Sequence, residues 1–175
     1  MELHDLTVAF EGKVVFDHRD FSFPEEGLTL LTGPSGVGKT TLLRALQKQY
    51  PDSGFLFQED RLFAGRTVLQ HLLDVMDKPD RNKAAELLAL VELTGEEGTY
   101  PAQLSGGMAR RLALARCLAL DSPRFLLDEP FTGVDEALQK RILARLKAGG
   151  RPILLSTHNH GLMEFADAVV TLEKG

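Results

Sequence analysis

The fold of this chain is decided by one stretch, Gly33-Pro34-Ser35-Gly36-Val37-Gly38-Lys39-Thr40. It fits the pattern G-x-x-x-x-G-K-[ST], whose glycines let successive backbone N–H groups point inward and form a nest for an anion. The N-terminus of the helix that follows adds partial positive charge. Lys39 can reach the β- and γ-phosphates of a nucleotide, and the Thr40 hydroxyl is placed to ligate Mg²⁺. The stretch therefore predicts binding of a nucleoside triphosphate, against the alternative of a glycine-rich turn with an exposed lysine.

Short strands and longer helices alternate along the rest of the chain. Loose alternation of apolar and polar residues predicts half-buried strands at 3–10 and 14–23. Short apolar runs predict buried strands at 28–32, 54–57, 125–127, 153–155 and 168–172. Helical patterns predict helices at 40–49, 67–76, 80–93, 107–120 and 135–148, of which the one at 80–93 begins at a capping Asp80. This alternation predicts an α/β fold with a mainly parallel central sheet and a small helical lobe at about 60–100.

Composition is that of an ordinary globular domain and argues against several classes of function. The chain has 175 residues, 43% of them hydrophobic, and its formal net charge of −5 argues against a nucleic-acid partner. Its single cysteine, Cys117, excludes an intramolecular disulfide framework. No apolar run approaches the ~20 residues that span a bilayer, and the beginning of the chain does not resemble a secretory signal. We therefore expect a cytoplasmic protein that reaches a membrane only through a partner.

Two of the predicted strands lead into residues that suit nucleotide chemistry. Asp128 and Glu129 follow the strand at 125–127, and His158 follows the strand at 153–155. The carboxyl ends of strands face the ligand crevice in open α/β sheets. There Asp128 can hold Mg²⁺, Glu129 can polarise an attacking water, and His158 can contact a γ-phosphate. Taken alone, the acidic pair is equally well explained as a cap or a solvated pair, and the histidine as a surface residue.

A second candidate anion site precedes the helix predicted at 107–120. Ser105, Gly106 and Gly107 stand at its start, where unpaired N–H groups and the helix dipole attract an anion. The alternative is an ordinary N-cap followed by flexible glycines. Because the loop at 33–40 already serves a triphosphate, we expect this second site to serve the nucleotide of another subunit.

In their order and spacing these motifs resemble the ATPase subunit of ATP-binding cassette (ABC) transporters, over nearly the whole chain. The stretch from Gly33 to Thr41 is similar to the Walker A loop of that family. Asp128 and Glu129 resemble its Walker B aspartate and catalytic glutamate, and His158 resembles its switch histidine. The resemblance implies a P-loop NTPase fold in a single cassette domain spanning residues 1–175.

The resemblance also suggests roles for residues that the motifs alone leave open. Phe10 resembles the aromatic residue that stacks on adenine, and Gln58 resembles the Q-loop glutamine that contacts Mg²⁺ and senses the permease. The segment at 104–108 resembles the family signature with Met108 in place of glutamine, and Asp135 ends a segment similar to the D-loop. The signature residues that would act in trans are Ser105, Gly106 and Gly107.

The family's mechanism implies the partners of this chain. Two cassettes, identical or paired with a second kind, would associate head to tail around two ATP molecules with Mg²⁺. Their closure and opening would drive an integral membrane permease, to which a solute-binding protein can deliver the solute. The segment at 100–108 looks most like importer subunits of the nitrate, sulfonate and taurine type. This implies a location on the cytoplasmic face of the cell membrane.

A further departure from the family and three alternatives remain at this point. Only sixteen residues separate Thr41 from Gln58, fewer than in most relatives, so we expect a reduced antiparallel β lobe. The alternatives are a soluble cassette ATPase without a transport role, a P-loop nucleotide kinase, and a degenerate cassette that scarcely hydrolyses ATP. A kinase leaves the glycines after Ser105 and the position of His158 unexplained, and the presence of Glu129 argues against a degenerate cassette.

Overall fold

A two-stranded antiparallel hairpin begins the fold. The computed structural model describes residues 1–10 and 13–173, and of Phe10 and Lys13 it describes the backbone alone. Strand β1 (Glu2–Phe10) pairs with strand β2 (Lys13–Ser22), with three register shifts between them. This small sheet is the reduced antiparallel β lobe that the short separation before Gln58 predicts.

A five-stranded parallel sheet forms the centre of the molecule. Its strands are β3 (Leu28–Thr32), β4 (Gly54–Leu56), β5 (Phe125–Asp128), β6 (Ile153–Ser156) and β7 (Ala168–Thr171). They lie in the order β4-β5-β6-β3-β7, and every pairing is parallel. The carboxyl ends of β3, β4, β5 and β6 therefore meet at one edge of the sheet, where ligands bind in folds of this class.

Helices connect the strands and begin at residues that suit a helix N-terminus. They are α1 (Lys39–Gln49), α2 (Val68–Leu73), α3 (Arg81–Leu90), α4 (Gly106–Ala119) and α5 (Glu136–Ala148), with 3₁₀ turns at Pro101–Gln103 and His160–Phe165. The side chains of Thr67, Asp80, Ser105 and Asp135 cap α2 to α5 by accepting hydrogen bonds from first-turn N–H groups. No helix among the described residues has the length and apolar character needed to cross a bilayer.

Two apolar cores cover the two faces of the parallel sheet. Alternation along β5 places Leu127 in a core with α2, α3, α4 and α5, while Leu126 packs in a second core with α1 and the hairpin. The same alternation separates Leu155 from Leu154 in β6. Because both faces are covered, these strands are continuous apolar runs, as their sequences predict.

The observed elements confirm the predicted α/β class and differ from the prediction mainly at element ends. Strand β4 ends at Leu56 and helix α2 ends at Leu73, each earlier than the apolar pattern predicts. Helix α3 ends at Leu90, beyond which Val91 leaves helical geometry and Glu92 has a positive φ of 56°. The apolar residues beyond these ends, among them Met76 and Leu93, are buried in the core from irregular backbone.

Candidate nucleotide site

The glycine-rich loop between β3 and α1 requires glycine at two of its positions. Gly33 has a φ of +138° and Gly38 a φ of +109°, both in the left-handed region. A Cβ at Gly33 would lie 2.5 Å from the carbonyl oxygen of Leu172, and one at Gly38 would lie 2.7 Å from the ring of Phe16. Helix α1 has no side-chain cap, so its first-turn N–H groups remain available to an anion.

Lys39 is folded back onto this loop. Its Nζ donates hydrogen bonds to the carbonyl oxygens of Gly33 (2.8 Å) and Pro34 (3.2 Å), and the residue is 7% exposed. Burial lowers the pKa of Lys39, while the nearby carboxylates of Glu129 and Asp128 oppose that shift. The ammonium is thus held beside the loop that would receive phosphate, within the field of both acids.

Asp128 ends β5 in a hydrogen-bonded arrangement that the sequence does not reveal. The register of β5 and β6 places Asp128 beside Ser156, whose Oγ donates to Asp128 Oδ1 at 2.7 Å. The same Oγ accepts a hydrogen bond from the Glu129 backbone N–H at 3.0 Å. Asp128 is 1% exposed, and its Oδ2 has no hydrogen-bond partner among the described residues. One face of this carboxylate is therefore fixed and its other oxygen remains free for a ligand.

The backbone leaves the extended geometry of β5 at Glu129. Strand β5 stops at Asp128, and Glu129 has a φ of +48°, a left-handed conformation that costs a non-glycine residue about 1 kcal/mol. Its carbonyl oxygen accepts from Arg110 Nε at 3.0 Å and from the Thr132 hydroxyl at 3.2 Å. With the Ser156 contact to its N–H, these bonds hold the backbone of Glu129 on both sides.

The carboxylate of Glu129 lies beside His158. Nε2 of His158 is 3.0 Å from Oε1 of Glu129, although the two groups are not aligned as a hydrogen bond, and Glu129 is 19% exposed. Burial raises the pKa of Glu129, and the charges of His158 and Lys39 partly offset this increase. A carboxylate with a raised pKa near an open imidazole is suited to accept a proton at neutral pH.

Most of the predicted site residues line one cleft of about 260 Å³ at the carboxyl edge of the sheet. Those in its wall are Ser35, Gly36, Gly38, Lys39, Thr40, Thr41, Gln58, Asp128, Glu129 and His158, together with Val15. Gly33 and Pro34 support it through their hydrogen bonds to Lys39, and Val37 is buried in the core beneath the loop. The side chain of Phe10, predicted to stack on adenine, lies outside the described residues.

Four other predicted residues lie away from this cleft. Exposed Ser105 caps α4, where its Oγ accepts from the Met108 N–H at 3.2 Å, and Gly106 beside it is also exposed. Gly107 packs so tightly that an added Cβ would lie 2.6 Å from the carbonyl oxygen of Gly133. Asp135 caps α5 and is exposed. Within one chain the structure does not bring these four residues to the glycine-rich loop.

Arg110, like Ser156, lies in the region of the site, although the sequence predicts no role for it. It is 3% exposed and lies in the first half of α4. Its guanidinium donates to the carbonyl oxygens of Phe57, Gln58, Asp128 and Glu129, and it forms an ion pair with Asp60. Two more arginines, Arg111 and Arg116, follow within the same helix, so no local pattern distinguishes Arg110 before the strands are placed.

The fold and the cleft together define a nucleotide-binding protein of the P-loop class. A profile described as "ABC transporter" matches residues 51–132, and one described as "P-loop containing region of AAA domain" matches residues 4–49. Among solved structures, a dimeric bacterial ABC transporter cassette, MJ0796, superimposes with a TM-score of 0.85 at 24% identity. That match covers 99% of this chain and 94% of the other, and it supports the fold.

Two curated relatives show the family. The aliphatic sulfonates import ATP-binding protein SsuB 1 of Nocardia farcinica is 38% identical over 187 residues, covering 97% of this chain and 76% of the relative. The sulfate/thiosulfate import ATP-binding protein CysA of Caulobacter vibrioides is 38% identical over 192 residues, covering 89% of this chain and 57% of the relative. The chain belongs to the ABC transporter family and is an ATP-binding ATPase subunit of that family. This assignment excludes the nucleotide kinase alternative.

Proposed function

We propose that this chain hydrolyses ATP as one half of a head-to-tail pair of cassettes that drives an importer. The observation that carries the proposal is the division of its predicted residues into two sets. The cleft gathers the phosphate loop with Lys39, Glu129 and His158, whereas Ser105 at the start of α4 is exposed and lies outside the cleft lining. The relatives named above are import proteins for sulfonates and sulfate, which favours an anionic sulfur compound as the solute.

The residues of the cleft divide the hydrolytic reaction among them. Backbone N–H groups of the loop and the Lys39 ammonium would hold the β- and γ-phosphates. Glu129 would accept a proton from water as the water oxygen bonds to the γ-phosphorus. The bond from that phosphorus to the bridging oxygen then breaks, and ADP leaves with the electron pair. His158, beside Glu129, would contact the γ-phosphate and hold the carboxylate in place.

The cleft also fits a magnesium ion. Thr40, Gln58 and Asp128 line it and supply hydroxyl, amide and carboxylate oxygens, the ligand types that Mg²⁺ prefers. The free, buried Oδ2 of Asp128 is an acceptor without a donor among the described residues, which a cation would satisfy. When bound with ATP, Mg²⁺ neutralises charge that develops on the phosphate oxygens.

The second set of residues would complete the site of the partner cassette. The N–H groups of Gly106 and Gly107 stand at the start of a long helix and, with Ser105, would form an anion site on the surface. Asp135 lies on the same side, because Gly107 packs directly against Gly133 of the loop that leads to it. In a two-fold pair each chain then offers this surface to the other chain's triphosphate.

A permease would dock beside the Q-loop, on the side of the predicted helical lobe at about 60–100. A cleft of about 190 Å³ lies there, with Phe57, Arg61, Val75 and Arg116 among its lining residues. Arg61 covers the Phe57 ring at 3.7 Å, and nearby Phe63 is 65% exposed. Such a surface suits a short amphipathic helix of a membrane protein. Docking there would hold the chain at the cytoplasmic face of the membrane, where a solute-binding protein acts only through the permease.

The test of this function is the variant Glu129→Gln. Removing the base while keeping the shape should lower kcat by on the order of 10²-fold to 10³-fold and leave ATP trapped between two chains. Size-exclusion chromatography with ATP and Mg²⁺ should then show a dimer that is absent with ADP. Glu26→Gln, at an exposed turn, is the control and should behave as wild type. A monomer under all conditions, or full activity of Glu129→Gln, would contradict the proposal.

A further inference from the structure

The first turns of α4 are tied to the chain's own ATP cleft by a single buried side chain. Arg110 lies five residues beyond Ser105, about 7.5 Å along the helix axis at the usual rise. Its side chain is 3% exposed, so its donors bond to protein groups and not to bulk water. The start of α4 and the cleft are thus connected through a rigid helix segment and one planar cation.

Every main-chain acceptor of Arg110 lies in or beside the residues that line the cleft. Nη1 donates to the carbonyl oxygens of Phe57 (2.8 Å) and Gln58 (3.2 Å), and Nε donates to that of Glu129 at 3.0 Å. Nη2 donates to the carbonyl oxygen of Asp128. A guanidinium can satisfy such a set because its five donors lie in one plane, whereas an ammonium has a single nitrogen.

The bonds from Arg110 hold the backbone at Glu129 and Gln58, and the backbone position sets where the side chains of these two residues lie. Glu129 is held in the left-handed region, and its carbonyl bond to Arg110 is one of the contacts that keep it there. Gln58 is exposed and follows β4 by two residues. The hydrogen bond from Arg110 to its backbone carbonyl oxygen limits the positions that its side-chain amide can reach. A shift of α4 therefore moves both residues through Arg110.

A second contact joins the same two regions. Gly107 packs against the backbone of Gly133, in the loop that runs from Glu129 to Asp135. The start of α4 is therefore held both by this close backbone approach and by Arg110, and it cannot move as an independent arm.

We propose that Arg110 is a positioning residue that couples the two ATP sites of the paired cassettes. The inference rests on the proposed function, since the start of α4 contacts the partner's nucleotide only in a closed pair. Occupation of that second site would fix α4, and Arg110 would then set Gln58 and Glu129 for hydrolysis in the chain's own cleft. Hydrolysis at the two sites should consequently depend on each other.

The neighbouring residue provides a matched control. Arg111 is also partly buried in α4, and its Nη1 donates to the carbonyl oxygens of Val91 (2.8 Å) and Glu92 (2.5 Å) at the end of α3. Its contacts lie on another side of the helix and do not include a residue of the cleft. Arg111→Gln therefore removes a neighbouring, partly buried guanidinium without cutting the connection that the proposal requires.

The experiment measures ATP hydrolysis by the full chain as a function of ATP concentration. Wild type and Arg111→Gln should show a Hill coefficient near the limit of about two for paired sites. Arg110→Gln should lower the coefficient toward about one and kcat by about tenfold, with nucleotide affinity within about twofold of wild type. If Arg110→Gln does not fold, Arg110→Lys keeps the charge opposite Asp60, and its single nitrogen should give the same loss of cooperativity.

Three results would overturn the coupling role. The first is a reduced kcat of Arg110→Gln with an unchanged Hill coefficient, which shows a local structural effect. The second is an equal loss of cooperativity in Arg111→Gln, which shows general loosening of α4. The third is a non-cooperative wild type. These outcomes are distinguishable from failure of the proposed function, because Glu129→Gln forms its ATP-dependent dimer in each of them.

Discussion

Two helix N-termini of this chain, those of α1 and α4, differ in the groups that surround them. Helix α1 begins after Gly38 with no side-chain cap, beside Lys39 at 7% exposure and Asp128 at 1% exposure. Helix α4 begins after Ser105, whose own hydroxyl caps the Met108 N–H, and both Ser105 and Gly106 are exposed. The first terminus is surrounded by groups that can bind phosphate and remove a proton, and the second is not.

In the proposed pair of cassettes, this difference would make each chain one half of a functional unit. The α1 terminus combines an anion nest with a lysine, two carboxylates and a histidine in one cleft. The α4 terminus offers N–H groups and a hydroxyl but lies outside that cleft, so it can bind a nucleotide that another molecule holds. We call the cleft the chemical half-site and the start of α4 the proposed closing half-site, and the predictions below separate their contributions.

The largest effect should follow from Lys39→Ala, which damages the chemical half-site. The variant loses the ammonium that now bonds the loop carbonyls and would neutralise the γ-phosphate, so ATP hydrolysis should fall by about 10³-fold or more. Phosphate release from ATP measures the loss. Lys48→Ala, at the exposed end of the same helix, should keep wild-type turnover. Unchanged turnover in Lys39→Ala would disprove the assignment of the loop.

Damage to the closing half-site should separate closure from binding. Ser105→Arg places a long cation at the start of α4 and should prevent a second chain from closing, which lowers hydrolysis by about 10²-fold. Nucleotide affinity of the monomer, measured by calorimetry, should stay within about twofold because the cleft is untouched. Asn82→Arg on exposed α3 is the control for an added arginine. An equal loss of binding and hydrolysis in Ser105→Arg would contradict a role in trans.

The sequence predicts the fold well because local signals and packing agree. The runs that form β3, β5 and β6 are mainly apolar, as expected of strands covered on both faces, and Asp80 caps α3 where the pattern places it. Element ends are less predictable, since burial continues beyond them. Met76, for example, extends the apolar pattern of α2 but is buried from backbone that is no longer helical.

The residues of the site are predictable from sequence only where a short local motif identifies them. Lys39 and Asp128 follow from short motifs, whereas Ser156 and Arg110 act through partners that are distant in sequence. Ser156 becomes meaningful when β6 pairs with β5, and Arg110 when α4 packs against the ends of β4 and β5. The left-handed conformation of Glu129 is likewise imposed by these tertiary bonds, and no local pattern predicts it.

Ser156→Ala should test how far the chemical half-site depends on such support. The variant leaves Asp128 Oδ1 and the Glu129 N–H without their shared hydroxyl, which should cost about 1–3 kcal/mol of unfolding free energy and about tenfold in kcat. Denaturant unfolding and steady-state hydrolysis measure the two effects. Ser53→Ala is a matched control, since Ser53 Oγ is buried without a hydrogen-bond partner among the described residues. A wild-type kcat in Ser156→Ala would show that its bonds do not position the acids.

The smallest expected effect concerns the pH at which the chemical half-site loses its base. Burial raises the pKa of Glu129, so the carboxylate becomes protonated, and kcat falls, at a pH above the usual glutamate range as the solution is acidified. The charge of His158 lowers that pKa, and its removal in His158→Ala should move the acid limb to still higher pH. The profile is measured as kcat at saturating ATP and Mg²⁺, so that titration of free nucleotide does not enter. His160→Ala, exposed two residues away, should leave the limb in place. An acid limb that stays fixed or moves to lower pH in His158→Ala would show that another group is the base.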